Sequence, residues 1–388
     1  MAGIAHEPLA HARPPARRRR REIPTPPLRR ARRVALIAAA ICLVPVVISY
    51  LSMLTQRSDS SLGIRTVEWL TSNGGRGIVN QVESTYYSLT APATGGRPLK
   101  RLPHQTAVAS RVIAPHYAPP PITPLTSPTL AGEGIWHPTF ADGGSQPPVL
   151  VTSFRSEPHL YPQLVAGVAW IDHTRTRVRL YPGLQEPAVT LPRGPMEVPP
   201  NRRGRLVATF NSGFKLQDSG GGFALAGHTY APLKNGLATI VGYTNGSTDV
   251  VSWTGGPDVG PTVRFARQNL PLIVNNARPN PNLSDGPQWG ATLGNAIRVW
   301  RSGVGVDSHG NLIYAAANYQ TVSSLAHILI HAGAVRAMEL DINSYWVSFI
   351  SYRFPNAVDP ANLLAAMNRS RYRYLTQDDR DFFAVYLR

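Results

Sequence analysis

Residues 321–343 read T-V-S-S-L-A-H-I-L-I-H-A-G-A-V-R-A-M-E-L-D-I-N. The first thirteen positions predict an amphipathic helix with Thr321 as its N-cap and Gly333 just past its end. A strand is predicted over 335–342, where side chains alternate between two faces. Met338, Leu340 and Ile342 then share one side, and Glu339, Asp341 and Asn343 share the other. At a rise of ~3.3 Å per residue the two carboxylates stand ~6.6 Å apart along the backbone. That spacing suits a pair acting on a glycosidic bond. It equally suits the solvated polar face of an antiparallel sheet, and the same oxygens are compatible with a divalent cation.

Outward from this helix and strand the chain reads as short strands punctuated by glycine, at 205–211, 223–230, 236–243, 249–253, 271–274 and 345–352. Residues 165–181 have the pattern of a hairpin, with a polar turn and an alternating second arm. One helix among many strands predicts a mixed α/β (α+β), β-rich domain with few helices. Two further clusters carry polar chemistry. The segment W-R-S-G-V-G-V-D at 300–307 reads as a glycine-rich turn before a strand. Its Arg301 offers a planar fork for phosphate or carboxylate, and Ser302 a hydroxyl; a structural salt bridge is the competing reading. The segment T-F-N-S-G-F-K at 209–215 ends a strand in a turn at Asn211 and Gly213. His327 and His331 are four apart on the predicted helix but have no evident third ligand, and they read as surface or packing residues.

Taken in order, these segments resemble the phosphodiester glycosidase family of uncovering-enzyme-like and exopolysaccharide-related bacterial proteins. The resemblance covers roughly 165–385. It rests on Asn211, Gly213 and Phe214 in an N-x-G-F turn, on Arg301, Ser302 and Gly305 in an R-[ST]-x-x-G pattern, and on Thr321 opening a helix. Leu340 and Asp341 begin an L-D strand end. The family continues that strand as G-G-G-S, whereas this chain has Ile342, Asn343, Ser344 and Tyr345. Side chains thus replace the close backbone approach that glycine permits.

The resemblance implies hydrolysis of a sugar linked through phosphate at its anomeric carbon. In that reading Asp341 is the first catalytic carboxylate and Glu339 the second. Arg301 and Ser302 hold the phosphate, while Asn211, Gly213 and Asn343 line the substrate. The residue types are compatible with a divalent cation, and the sequence names no other cofactor. The alternative is a non-catalytic protein that uses the same fold to bind glycan or to assist polysaccharide assembly.

The N-terminal third bears on location. Residues 34–54 are uncharged and largely apolar, long enough to span a bilayer as a helix. Ten arginines and two glutamates precede them, +8, whereas residues 151–388 hold 22 basic against 15 acidic groups, +7. The positive-inside rule then keeps residues 1–33 in the cytoplasm and exports the rest. The expected order is an Arg-rich tail (1–33), a transmembrane helix (34–54), a juxtamembrane segment with a short helix at 62–72 (55–90), a Pro/Gly-rich spacer (91–150) and the glycosidase-like domain (151–388). Much of the overall +17 is therefore a topology signal, and no recognition motif points to nucleic acid. The expected partners are the membrane and a cell-envelope glycan or sugar phosphodiester. Cys42, the one cysteine, lies inside the apolar stretch, so the domain depends on its core and not on disulfides.

Overall fold

A computed structural model of the chain describes residues 27–103, 117–140, 147–283, 286–290 and 297–388. The arginine run at 17–21 and parts of the expected spacer lie outside those residues. The chain divides into two compact units, residues 1–56 and 57–388.

In the first unit the helix α1 runs Pro27–Thr55 and contains Pro45. Its stretch Arg29–Thr55, 27 residues, is long and apolar enough to cross a membrane. Leu36, Ile37, Leu43 and Val44 stand exposed along it.

The second unit begins with α2 (Leu62–Leu70) and α3 (Arg76–Thr90). The turn between them breaks at Asn73 and at Gly74, whose φ of 88° is one that glycine adopts without Cβ strain. Strands follow in chain order: β1 (His137–Pro138), β2 (Val149–Glu157), β3 (Tyr161–Ile171), β4 (Thr176–Tyr181) and β5 (Leu206–Asn211), then the short helix α4 (Leu216–Ser219). Next are β6 (Phe223–Leu225), β7 (His228–Ala231), β8 (Ala238–Tyr243), β9 (Thr248–Ser252), β10 (Val263–Gln268), β11 (Leu272–Asn275) and β12 (Arg278–Pro279). The chain continues through β13 (Val299–Val306), β14 (Leu312–Gln320), α5 (Val322–His331) and β15 (Arg336–Glu339). It closes with β16 (Phe349–Phe354), β17 (Val358–Asn362) and β18 (Phe382–Leu387).

These strands form an eight-stranded sheet, β1-β2-β3-β14-β13-β15-β11-β12, and two five-stranded sheets, β7-β6-β10-β8-β9 and β17-β16-β5-β18-β4. Strand alternation sorts the large sheet into two apolar layers. Ile313, Ala315 and Ala317 of β14 pack with Leu325, Ile328 and Leu329 of α5. Tyr314 and Ala316 face the other way, into a core with Phe210, Phe265, Phe349 and Phe383 from the smaller sheets. Thr321 caps α5 as expected: its hydroxyl accepts from the Ser324 amide, and the Ser324 hydroxyl accepts from the Thr321 amide. The molecule is thus an α+β, β-rich fold preceded by one long apolar helix.

Four expectations are corrected. Residues 165–181 are not a hairpin, because both edges of β3 are occupied by β2 and β14. Asp172 closes the turn by accepting from the Thr174 amide, and β4 leaves to pair with β18 in another sheet. Residues 300–306 are not a turn but belong to the interior strand β13. Gly303 and Gly305 are needed there because a Cβ would stand 2.9 Å from the Met338 carbonyl or 2.5 Å from that of Arg336. The strand β15 stops at Glu339, so Asp341 and Asn343 lie beyond its end, and both Glu339 and its apolar neighbours are buried. Within the expected spacer (91–150), the described stretch 117–140 packs on the domain. Its β1 pairs with β2, Ile122 and Phe140 are buried, and Glu133 forms a buried ion pair with Arg155 at 2.7 Å.

Candidate functional site

The segment that leaves β15 runs alongside the end of β5, and two hydrogen bonds fix it there. The Asp341 amide donates to the Ser212 carbonyl at 3.1 Å, and the Ser302 hydroxyl donates to the Asp341 carbonyl at 2.7 Å. Asn211 anchors the junction. Its Nδ2 donates to the Ser302 hydroxyl and to the Ser212 carbonyl, while its Oδ1 accepts from the Tyr314 hydroxyl and the Ser348 amide. All of the Asn211 side chain's hydrogen-bonding groups are therefore engaged inside the protein. Gly213 permits close packing here, because a Cβ would meet Asn269 at 3.0 Å. Asn269 in turn donates to the Glu339 carbonyl.

The two carboxylates have different fates. Glu339 turns into the interior and pairs with Arg301 at 2.5 Å, both side chains fully buried. Arg301 also donates to the carbonyls of Gln320, Trp289 and Ile297. Burial pushes the Glu339 carboxyl up to about 7 against the pull of Arg301, and its Oε2 has no partner among the described residues. Asp341 instead lines a cleft of about 90 Å³. Its Oδ2 accepts from Arg380 at 2.8 Å and its Oδ1 from the Asn343 amide at 3.0 Å. Burial raises this carboxyl too, with Arg380 opposing.

The structure thus separates the predicted site residues into two groups. Asp341 and Asn343 reach the cleft. Arg301, Ser302, Asn211 and Glu339 lie behind it as the framework that holds Asp341. The cleft also contains Phe214 of the N-x-G-F turn, Trp346, and Lys215 and Arg380, the last two of which sequence reading did not select. Lys215 ended a turn whose asparagine and glycine drew attention. Arg380 sits in D-D-R-D at 378–381, a charge run that reads as surface yet is buried throughout. Arg380 also donates to the Gly213 carbonyl and lies over Trp346, 5.1 Å from the ring centroid.

The fourth wall of the cleft is the helical pair α2–α3, through Val67, Glu68, Thr71, Val79 and Glu83. Glu68 pairs with Lys215 at 2.8 Å and Arg76 with Asp218 at 3.1 Å. Tyr87 packs with Phe214 and Ile342. Glu83 forms no ion pair among the described residues, and burial pushes its carboxyl up to about 7. Among the described residues no group of three or more His, Cys, Asp or Glu side chains is placed to hold a metal ion. His331 bonds the Thr123 carbonyl at 2.6 Å, and His327 the carbonyl of Ser323.

The sequence matches no family model and no curated protein. Among solved structures it is similar to the catalytic domain of zebrafish N-acetylglucosamine-1-phosphodiester alpha-N-acetylglucosaminidase, auto-inhibited by pro-peptide. Identity is 16% and the TM-score 0.43, over 64% of this chain and 87% of that one. A putative exported protein from Burkholderia pseudomallei matches at 11% identity and TM-score 0.33, over 58% of this chain and 74% of the other. A hypothetical protein from Synechocystis matches at 13% and 0.32, over 58% and 59%.

Proposed function

We propose that the chain is a membrane-anchored, extracytoplasmic hydrolase of sugar-1-phosphodiester bonds, with cell-envelope glycans or their precursors as the substrate class. The observation that carries this reading is a carboxylate and two cations, Asp341, Lys215 and Arg380, lining one cleft. Phosphate is a good leaving group and needs little general-acid help. The reaction needs a cation for the departing phosphate and a carboxylate for water or for the oxocarbenium-like carbon. Lys215 supplies the first, and Asp341, held by Arg380, supplies the second. Water adds at the anomeric carbon as the carbon–oxygen bond to phosphate breaks. The water proton passes to Asp341 and then to solvent, and a phosphate monoester leaves. Trp346, buried with Arg380 over its ring, backs the cleft, and Asn343 lines the opening.

A cleft of about 90 Å³ is well below the several hundred Å³ of ordinary small-molecule sites. In this reading α2–α3 moves aside before substrate binds, and Glu68 holds Lys215 in the place of a phosphate. A second reading, glycan binding without hydrolysis, is favoured by the buried Ile342, which stands where the family pattern has glycine. The test is sugar release from a panel of sugar-1-phosphodiesters by the full chain in neutral-detergent micelles. Release that is lost in Lys215→Met supports hydrolysis. Binding without release selects the second reading, and neither overturns both.

A further inference from the structure

A second concave region lies away from Asp341, where β4, the edge strand of its sheet, approaches β10 and the 3-10 turn at Pro200–Arg205. Two adjoining hollows, of about 540 and 360 Å³, share Arg179, Asn201 and Arg202. Arg177, Arg205, Arg264 and Arg388 extend the same lining, and no acidic residue contributes to it.

These arginines are where electrostatics would not leave them unaided. The guanidinium groups of Arg177, Arg179, Arg202 and Arg264 make no ion pair or hydrogen bond among the described residues, whereas Arg155, Arg267, Arg298, Arg301, Arg336 and Arg373 are each paired with a carboxylate. Arg177 and Arg179 are two apart on β4, so they share a face at a spacing of ~6.6 Å. Val178, between them, and Leu180, next along the strand, face the core. Burial, with Arg202 and Arg264 close by, weakens the hold of Arg179 on its proton. Arg193 closes one side and is held by the carbonyls of Gly183, Pro187 and Val189. Like charges gathered with no acidic side chain among the lining residues repel, and an anion entering the groove relieves that repulsion.

We infer that this groove binds an anionic glycan chain, taking successive phosphate groups of a phosphodiester-linked polysaccharide on Arg177, Arg179, Arg202 and Arg264. The fork of arginine suits a tetrahedral phosphate. A concave trough fits a linear chain better than a flat bilayer surface. Single-stranded nucleic acid would find no stacking platform, because the aromatic residues of the lining, Tyr181, Phe265 and Tyr386, are all buried. The inference does not rest on hydrolysis at Asp341.

The test uses the full chain in neutral-detergent micelles and an end-labelled phosphodiester-linked polysaccharide, with neutral dextran of equal length as control. Four phosphate contacts on a flexible polyanion predict a loss of roughly fifty-fold in affinity between about 50 and 200 mM salt. The triple variant Arg179→Gln/Arg202→Gln/Arg264→Gln should bind at least about tenfold more weakly, with a log–log salt slope reduced by about 2. Arg278→Gln, an exposed arginine outside both hollows, should bind the polymer as the parent does. Arg177→Glu, an exposed edge position, gives an independent loss should the triple variant melt early. Equal binding of dextran, or unchanged binding by both groove variants, overturns the inference. Single-stranded DNA or anionic phosphatidylglycerol vesicles of matched charge, bound more tightly than the glycan and lost in the groove variants, would overturn the assignment to glycan.

Discussion

Arg301 shows how one residue type serves two opposite purposes. In sequence its guanidinium beside Ser302 and two glycines has the composition of an anion site. In the fold it lies in β13 and is held by Glu339 and three carbonyls. Arg301→Lys should therefore destabilise the domain, because lysine cannot reproduce the fork that joins these partners. Removing one partner of such a pair, as in Glu339→Gln, should cost about 3–5 kcal/mol, read as a lowered denaturation midpoint. An unchanged midpoint in both variants would return the pair to the surface chemistry that the sequence suggested. Asp341→Asn tests the other carboxylate. It should abolish sugar release, and it should also lower the melting temperature, since Arg380 loses its charged partner. Lys215→Met separates the effects: Lys215 is partly exposed, so release should fall while melting is nearly kept. Full activity in Asp341→Asn would remove that residue from the mechanism. Spacing along a strand singled out Asp341, yet the strand stops at Glu339, and the surroundings of Asp341 were not legible because Lys215 and Arg380 come from segments 126 and 39 residues away in the chain.

At the scale of elements, what was legible was local. The cap at Thr321, the apolar periodicity of α5 and the short apolar runs of β5 and β8 are encoded within a few residues, and the structure has them there. Partner choice was not local. The arms at 165–181 carry a hairpin pattern, but β3 is flanked on both sides by strands from elsewhere, so β4 pairs with β18. The cleft wall formed by α2–α3 was equally invisible, because its contacts join Glu68 to Lys215 and Arg76 to Asp218. If this wall must move, Glu68→Gln combined with Arg76→Gln should lower KM for a sugar-1-phosphodiester severalfold with kcat nearly constant. A raised KM would make the pair part of the binding surface. The carboxyl of Glu83 gives the wall a pH dependence. Its value, about 7 when docked against 4.5 when free, means that the docked state favours the protonated form. The contribution of Glu83 to docking is thus fully present below about 4.5 and is lost as pH rises through about 7. Amide exchange in α3 should speed up across that window, and Glu83→Gln should flatten the change. Exchange independent of pH after correction for intrinsic rates would exclude Glu83 as the cause.

At the scale of the whole molecule, charge is divided by place, and the division makes a prediction about topology. Ten arginines precede the apolar stretch, while Arg57 and Asp59 follow it and cancel. An isolated span inserts with its more basic flank in the cytoplasm, so residues 57–388 should lie outside, where the groove arginines and the Asp341 cleft would meet envelope polymers. The chain is suited to a direct test because Cys42 is its one cysteine. In a Cys42→Ser background, Leu160→Cys places a thiol at a turn whose side chain is 58% exposed, and Ala2→Cys places one before the arginine run. A membrane-impermeant maleimide applied to intact cells should label the first and not the second, and permeabilisation should make the two equal. Labelling of the Ala2→Cys variant alone would invert the protein and put both sites in contact with cytoplasmic substrates. Labelling of the Leu160→Cys chain after its release into the medium, with loss of mass corresponding to α1, would show that the helix is removed as a signal and that the domain acts unanchored.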